Sequence, residues 1–268
     1  MNSLYHTGFQ LNCRYKNNKK LRYFLDISYR GANYHGWQIQ ENAVTVQGVL
    51  QKALSNVLGA KIDILGSGRT DTGVHASSQI VHLDSPKEID AALIFRINGY
   101  LPKDICIKSA RLVQDDAHAR FDALSRAYVY RITLVKNPFE IGLAYYFYPP
   151  IEIDRMNKAA AILLQYEDFE SFSKVHTDVT NFNCTIFHAY WERNGDMLYF
   201  HVKANRFLRG MVRTLVGTML EVGKGRMSLD DFVQIILAKD RKRAGISAPP
   251  EALYLSEVEY PAEVYKHV

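Results

Sequence analysis

The sequence predicts an α+β fold made of two α/β halves whose antiparallel or mixed sheets join into one extended sheet. Three observations predict it. Stretches with period-two alternation, such as Tyr23 to Tyr29, take turns with stretches at helical spacing, such as Val46 to Leu58. The order of elements up to residue 115 is echoed in the remainder of the chain, without a sequence repeat behind it. An Asn194-Gly195 pair lies between two alternating runs, the strongest short signal for an antiparallel hairpin.

In order along the chain, Tyr23, Leu25, Ile27 and Tyr29 share one face of a first strand, which Arg30 to Asn33 breaks. Val46, Leu50, Ala53, Leu54, Val57 and Leu58 then trace a helix that Thr45 can cap and Gly59 can end. Lys61 to Leu65 and Gln79 to Leu83 are strands flanking a polar, glycine-rich loop. Residues 90–98 form a helix closed by Asn98-Gly99, and Ile105 to Ala110 is a further strand. A soft linker near residues 111–120 leads to the strand Ala127 to Val135 and the helix Asp154 to Tyr166. The hairpin follows, Ile186 to Glu192 with Met197 to Ala204. Apolar pairs every four residues from Phe207 to Leu220 then mark a helix, Ser228 and Asp231 can form a capping box, and Leu253 to Tyr260 closes as a strand. The expected organisation is a basic extension over 1–20, one half over 21–115 and a second over 116–268.

Composition excludes several classes. The 268 residues are 47% hydrophobic and 23% charged, globular proportions that rule out wholesale disorder. No apolar run approaches the ~18 residues of a membrane span. Three cysteines, far apart and without a C-x-x-C pair, exclude a disulfide framework and a cysteine-rich zinc site. The start of the chain lacks an apolar secretory core, so the expected location is the cytoplasm. The net charge of +5 is mild, but basic residues cluster at Arg14–Arg22, Lys203–Arg213 and Lys239–Arg243, with aromatics beside the first two. That pattern points to a polyanionic partner.

The outstanding segment is Gly66-Ser67-Gly68-Arg69-Thr70-Asp71-Thr72-Gly73-Val74-His75-Ala76. No lysine–hydroxyl pair follows its glycines and no helix opens after it, so it is neither a nucleoside-triphosphate loop nor a dinucleotide loop. On extended backbone Arg69 and Asp71 project to one side. A carboxylate beside a guanidinium stays ionised, and an ionised, positioned carboxylate suits covalent chemistry at a sugar carbon. The same residues also fit a plain turn in which Asp71 caps local amides with Arg69 as its ion-pair partner.

The run from Gly68 to Ala76 resembles the signature of the tRNA pseudouridine synthase A family. Further patterns of that family occur in order. They are Gly31 to Gln38, Thr45 to Gly48, Ala119-Arg120-Phe121 followed by Arg126, Tyr128 and Tyr130, then Phe169 to Phe172, Cys184 with Ile186, Asn205 to Arg213, and Ala248 to Leu255. The likeness spans residues 22–262. Residues 1–20 have no counterpart in it, and Ala252 stands where the family usually has Gly.

The resemblance implies a pseudouridine-synthase-like fold with helices on one face of the sheet and an RNA-binding cleft on the other. It implies isomerisation of uridine to pseudouridine at positions 38, 39 and 40 of the tRNA anticodon stem-loop, by a homodimer, without metal, nucleotide or other cofactor. It makes Asp71 the nucleophile, with Arg69 and Arg213 at its carboxylate, Tyr128 against the flipped base and Leu253 lining the base pocket. Arg30, Lys203, Arg206 and Arg209 are the expected phosphate contacts. The alternatives are an RNA-binding protein or tRNA-folding chaperone without turnover, and a synthase for another RNA.

Overall fold

The computed structural model describes residues 20–175 and 180–266. The basic extension expected over 1–20 lies, apart from Lys20, outside the described residues.

Among the described residues nine strands form one sheet: β1 (Leu21–Tyr29), β2 (Ile64–Gly66), β3 (His75–Ser85), β4 (Ile105–Leu112), β5 (Ser125–Thr133), β6 (Tyr145–Tyr146), β7 (Ile186–Asn194), β8 (Met197–Ala204) and β9 (Leu253–Glu259). The main path runs β4-β1-β3-β9-β5-β8-β7, with β2 on β3 and β6 on β5. The last strand in sequence therefore lies at the centre. It pairs antiparallel with β5 but parallel with β3, through His75–Tyr254 and Ala76–Leu255.

Among the described residues five α-helices accompany the sheet: α1 (Val46–Leu58), α2 (Ala91–Tyr100), α3 (Ile153–Ile162), α4 (Met211–Gly223) and α5 (Leu229–Ala238). All cover one face. Leu25, Ile27, Val81 and Leu83 share a core with Leu50 and Leu54 of α1 and Leu93 and Ile97 of α2. Tyr130, Ile132, Phe200 and Val202 share a second core with Met156 of α3, Leu215 of α4 and Phe232 of α5. The register places Tyr29 opposite Ala76, Ala76 opposite Leu255 and Leu255 opposite Tyr128, which carries one face across the whole sheet. Tyr128 packs against both cores. Behind β1, the opposite face is covered by Val113, Ala117 and Ala119 of the linker together with Tyr260 and Val264, around Phe24.

The local signals act as expected at several ends. Thr45 accepts the Gly48 N–H, Gly59 ends α1 at φ +70°, and Ser228 and Asp231 form a full capping box on α5. Elsewhere the tertiary context shifts the bounds. The second helix runs through Asn98-Gly99 to Tyr100, because the Asn98 amide bonds both the N–H and the C=O of Ile107 (each 2.8 Å) and is committed to β4 rather than to a turn. The third strand begins at His75, inside the polar loop, where β9 supplies a partner. Helix α4 begins at Met211 instead of Phe207, since Gly210 at φ +73° breaks the run. In the β7–β8 hairpin Gly195, at φ +57°, is the first turn residue and Asn194 the last strand residue. That is the type II′ arrangement.

Candidate active site

The loop between β2 and β3 is built by glycine contacts and two buried polar anchors. Asp71 to Val74 form a turn closed by a 3.1 Å N–H···O bond, with Gly73 at φ +82° in its third position. Residues 31–37 pack directly on this turn. A Cβ on Gly31 would lie 2.0 Å from the Val74 carbonyl oxygen, and one on Gly36 would lie 2.6 Å from that of Thr70. The buried Tyr29 hydroxyl donates to Gln79 Oε1 (2.7 Å) and meets Thr70 Oγ1 at 2.8 Å, while Gln79 Nε2 donates to the Gly68 carbonyl. His75, fully buried, accepts the Gly31 N–H at Nδ1 (2.8 Å). Its Nε2–H therefore points at the carbonyls of Glu251 (2.9 Å) and Gly142 (3.1 Å). Burial pushes the His75 pKa below its ordinary value, so the ring is a neutral latch between early and late segments of the chain.

From the other side, the 244–252 segment lies across α4. Gly217 lets it approach, since a Cβ there would meet the Ile246 carbonyl oxygen at 1.8 Å. Arg213 Nε donates to the Ala248 carbonyl at 2.6 Å and the Ala248 N–H returns a bond to the Arg213 carbonyl. Tyr130, buried in the second core, donates its hydroxyl to Pro249. Pro250 then stands 3.1 Å from where a Cβ on Gly73 would be, which closes the segment onto the Asp71 turn.

Asp71 lies where these pieces meet. Its Oδ1 is 3.5 Å from Arg209 Nε and its Oδ2 is 4.0 Å from Arg213 Nη1. The carboxylate is partly accessible, Arg213 is the more enclosed partner and Arg209 the more exposed one. Tyr128 stands edge-on to Phe207, with ring centroids 5.1 Å apart. Burial, and then the charge of Asp71, push the Tyr128 hydroxyl pKa up to about 12. At neutral pH it is a phenol. Leu253 is buried in the second core beside Ala248 and Ala252.

The structure brings together Asp71, Tyr128, Arg209 and Arg213. It does not place Arg69 beside the carboxylate: Arg69 is exposed and makes no ion pair with a described residue, because residues 69–71 form an irregular loop rather than an extended strand. Arg209, expected only at phosphates, takes that place beside Asp71. Lys203 is on the face away from the helices, held by Glu259 (2.9 Å) and Glu257 (3.4 Å), which neutralise it as a phosphate contact. Arg30 lies near His75 and Tyr254 rather than beside Asp71. Arg206 is half-buried. The position of the cleft also differs from expectation. Asp71 is on the helix-bearing face, between the α1/α2 group and the α3–α5 group, because Thr70 hangs from Tyr29 and Arg213 rises from α4, both on that face.

One residue without an expected role organises the site. Arg126 donates from Nη1 to the carbonyls of Ala123 and Asn205 and from Nη2 to those of Ser67 and Arg120. The only signal for it in the sequence was its place in a matching pattern.

Sheet order and site together define the class: an α+β protein whose single mixed sheet presents one carboxylate, between two guanidiniums, where early and late segments of the chain converge. A family model described as tRNA pseudouridine synthase matches residues 27–122 and 159–261, and the chain belongs to that family. It is 47% identical over 249 residues to the tRNA pseudouridine synthase A of Bacteroides fragilis, covering 91% of this chain and 98% of that protein. Over 250 residues it is 46% identical to the protein of the same name from Porphyromonas gingivalis, covering 91% and 99%. The protein of that name from a Thermoanaerobacter species is 40% identical over 237 residues, covering 87% and 97%.

Proposed function

We propose that this protein is an isomerase that converts uridine to pseudouridine in the anticodon stem-loop of tRNA, at positions 38, 39 and 40, with Asp71 as the nucleophile. The observation that carries this reading is the Asp71 carboxylate, accessible yet set between Arg209 and Arg213, with the Tyr128 ring beside it. A module that only bound a polyanion would gain nothing from a carboxylate aimed into its basic cleft.

The reaction balances without any external reagent. The C1′–N1 bond breaks, the uracil turns, and C1′–C5 forms. C5 loses its proton and N1 gains one, whether the carboxylate acts at C1′, at the ring or along a glycal path. Arg213 and Arg209 flank the Asp71 carboxylate and keep it aimed. Tyr128 offers its ring face to the extruded base. As a phenol, its hydroxyl takes the C5 proton only while passing on its own. Leu253 supports the base pocket from the second core, and the exposed Arg69 with Arg206 meets the RNA backbone.

The same reading makes the protein a cytoplasmic homodimer. Among the described residues no helix is long and apolar enough to cross a membrane. The division into halves at 21–115 and 116–268 belongs to the proposal too, supported by two cores that meet at Tyr128.

The test is tritium release from a tRNA transcript labelled with [5-³H]uridine, for the wild type and Asp71→Ala in parallel. Release by the wild type alone is the expected result. Tight tRNA binding without release by either would favour the chaperone reading or another RNA.

A further inference from the structure

Phe121 is 73% exposed, yet the backbone that carries it is held by five side chains. His82 Nδ1 accepts the Ala119 N–H (3.0 Å), and His118 Nδ1 accepts those of Arg120 and Phe121 (3.1 and 3.3 Å). Asp122 accepts the His118 N–H (2.7 Å), Arg126 donates to the Arg120 carbonyl, and the Tyr260 hydroxyl donates to the Ala119 carbonyl. The His118 ring lies 4.3 Å beneath the Phe121 ring. A rigid exposed ring loses little entropy when a flat ligand covers it.

Its surroundings name the ligand. Arg126 Nη2 bonds the carbonyls of both Arg120 (2.5 Å) and Ser67 (3.0 Å), so the Phe121 turn abuts the start of the Asp71 loop. Arg126 Nη1 bonds Asn205, which brings Arg206 to the same spot. Burial lowers the Arg126 pKa from its ordinary value, and the charges of Arg120 and Arg206 add to that effect. Among the described residues no carboxylate forms an ion pair with any of these three arginines, and the Asp122 carboxylate of the same turn is taken up by the His118 N–H. An exposed aromatic with unpaired guanidiniums fits a single-stranded stretch of nucleic acid.

We propose that Phe121 is a stacking platform for an unpaired nucleobase neighbouring the one delivered to Asp71, with Arg120 and Arg206 on the phosphates between them. This rests on the reading of the substrate as an RNA. The test compares the full-length wild type with Phe121→Ala, Phe121→Leu and Phe121→Trp on the same tRNA transcript. The expected result is a KM raised roughly tenfold in the Ala and Leu variants, with kcat nearly unchanged. Phe121→Trp keeps the wild-type KM, and its emission is quenched by tRNA beyond any change in the wild type, whose Trp37 and Trp191 are buried. An unchanged KM in natively folded Ala and Leu variants, or an unquenched indole in Phe121→Trp, overturns the proposal. So does an altered sedimentation coefficient at unchanged KM, which would assign the ring to a contact between copies. If the wild type neither binds tRNA nor releases tritium, the substrate reading falls and takes this one with it. If the wild type turns over and the variants match it, this inference alone falls.

Discussion

The Gly31 N–H donates to His75 Nδ1 at 2.8 Å, and that one bond fixes the tautomer which lets the opposite edge of the ring hold Glu251 and Gly142. Removing the ring leaves a buried N–H and two carbonyls without their partner. For His75→Ala we expect a loss of about 3 kcal/mol, or roughly 5–10 °C in Tm by calorimetry. Tritium release should fall as well, because the latch is four residues from Asp71.

Glycines in and around the loop differ in what they tolerate. Gly31→Ala puts a Cβ 2.0 Å from a carbonyl oxygen of the Asp71 turn and should abolish both stable folding and turnover. Gly68, inside the signature run, has open space around its Cβ position and no positive φ. Gly68→Ala should therefore keep its Tm within about 2 °C of the wild type. A large fall for Gly68→Ala would show that its surroundings are not open when folded.

Arg213 and Arg209 should separate in kinetics. The Arg213 fork reaches the Ala248 carbonyl and Asp71 at once, which a lysine cannot reproduce, so Arg213→Lys should lower kcat by about 100-fold with tRNA binding kept. Arg209 is the exposed partner, with 59% of its side chain accessible, and its charge is open to salt screening. Arg209→Ala should mainly raise KM, and the slope of log affinity against log salt should become shallower by about one. Equal effects of the two substitutions on kcat would contradict this division.

Acid should loosen the linker before the cores. His82 is buried and accepts the Ala119 N–H, and burial, with the nearby His118 second, lowers its pKa to about 4. Unfolded, the same ring titrates near pH 6.5. Between those values the unfolded chain binds the extra proton, so stability is full above about pH 6.5 and declines as pH falls towards 4. Urea midpoints measured across that range should decline for the wild type and decline less for His82→Gln.

Much of this architecture was legible because it is written locally. Thr45, Gly59 and the Ser228–Asp231 pair mark helix ends through their own chemistry, and the alternation of Tyr23 to Tyr29 declares a strand whatever it pairs with. What stayed hidden depends on residues far apart in the chain. Nothing near Asp71 announces that Arg209, not Arg69, is its close partner, because that contact exists only after the 244–252 segment seats α4. Lys203 reads as a free cation in a basic run, and only pairing of β5 with both β8 and β9 reveals Glu257 and Glu259 beside it. The resemblance implies a cleft on the face away from the helices, whereas Thr70, hung from Tyr29, and Arg213, on α4, bring Asp71 up on the helix-bearing face.

The central place of β9 sets an order of events on the ribosome. Strands β3 and β5 have no direct pairing in the sheet, and the gap between them is filled by residues 253–259, made after the other eight described strands. Until residues 248–255 emerge, Ala76 lacks its parallel neighbour, His75 lacks Glu251, and Asp71 lacks the segment that steadies Arg213. A nascent chain interrupted between Ala76 and Ala248 carries the whole signature loop and yet no assembled site. Competence to act on RNA thus arrives in one step, when the 248–255 segment joins a loop that was made long before it.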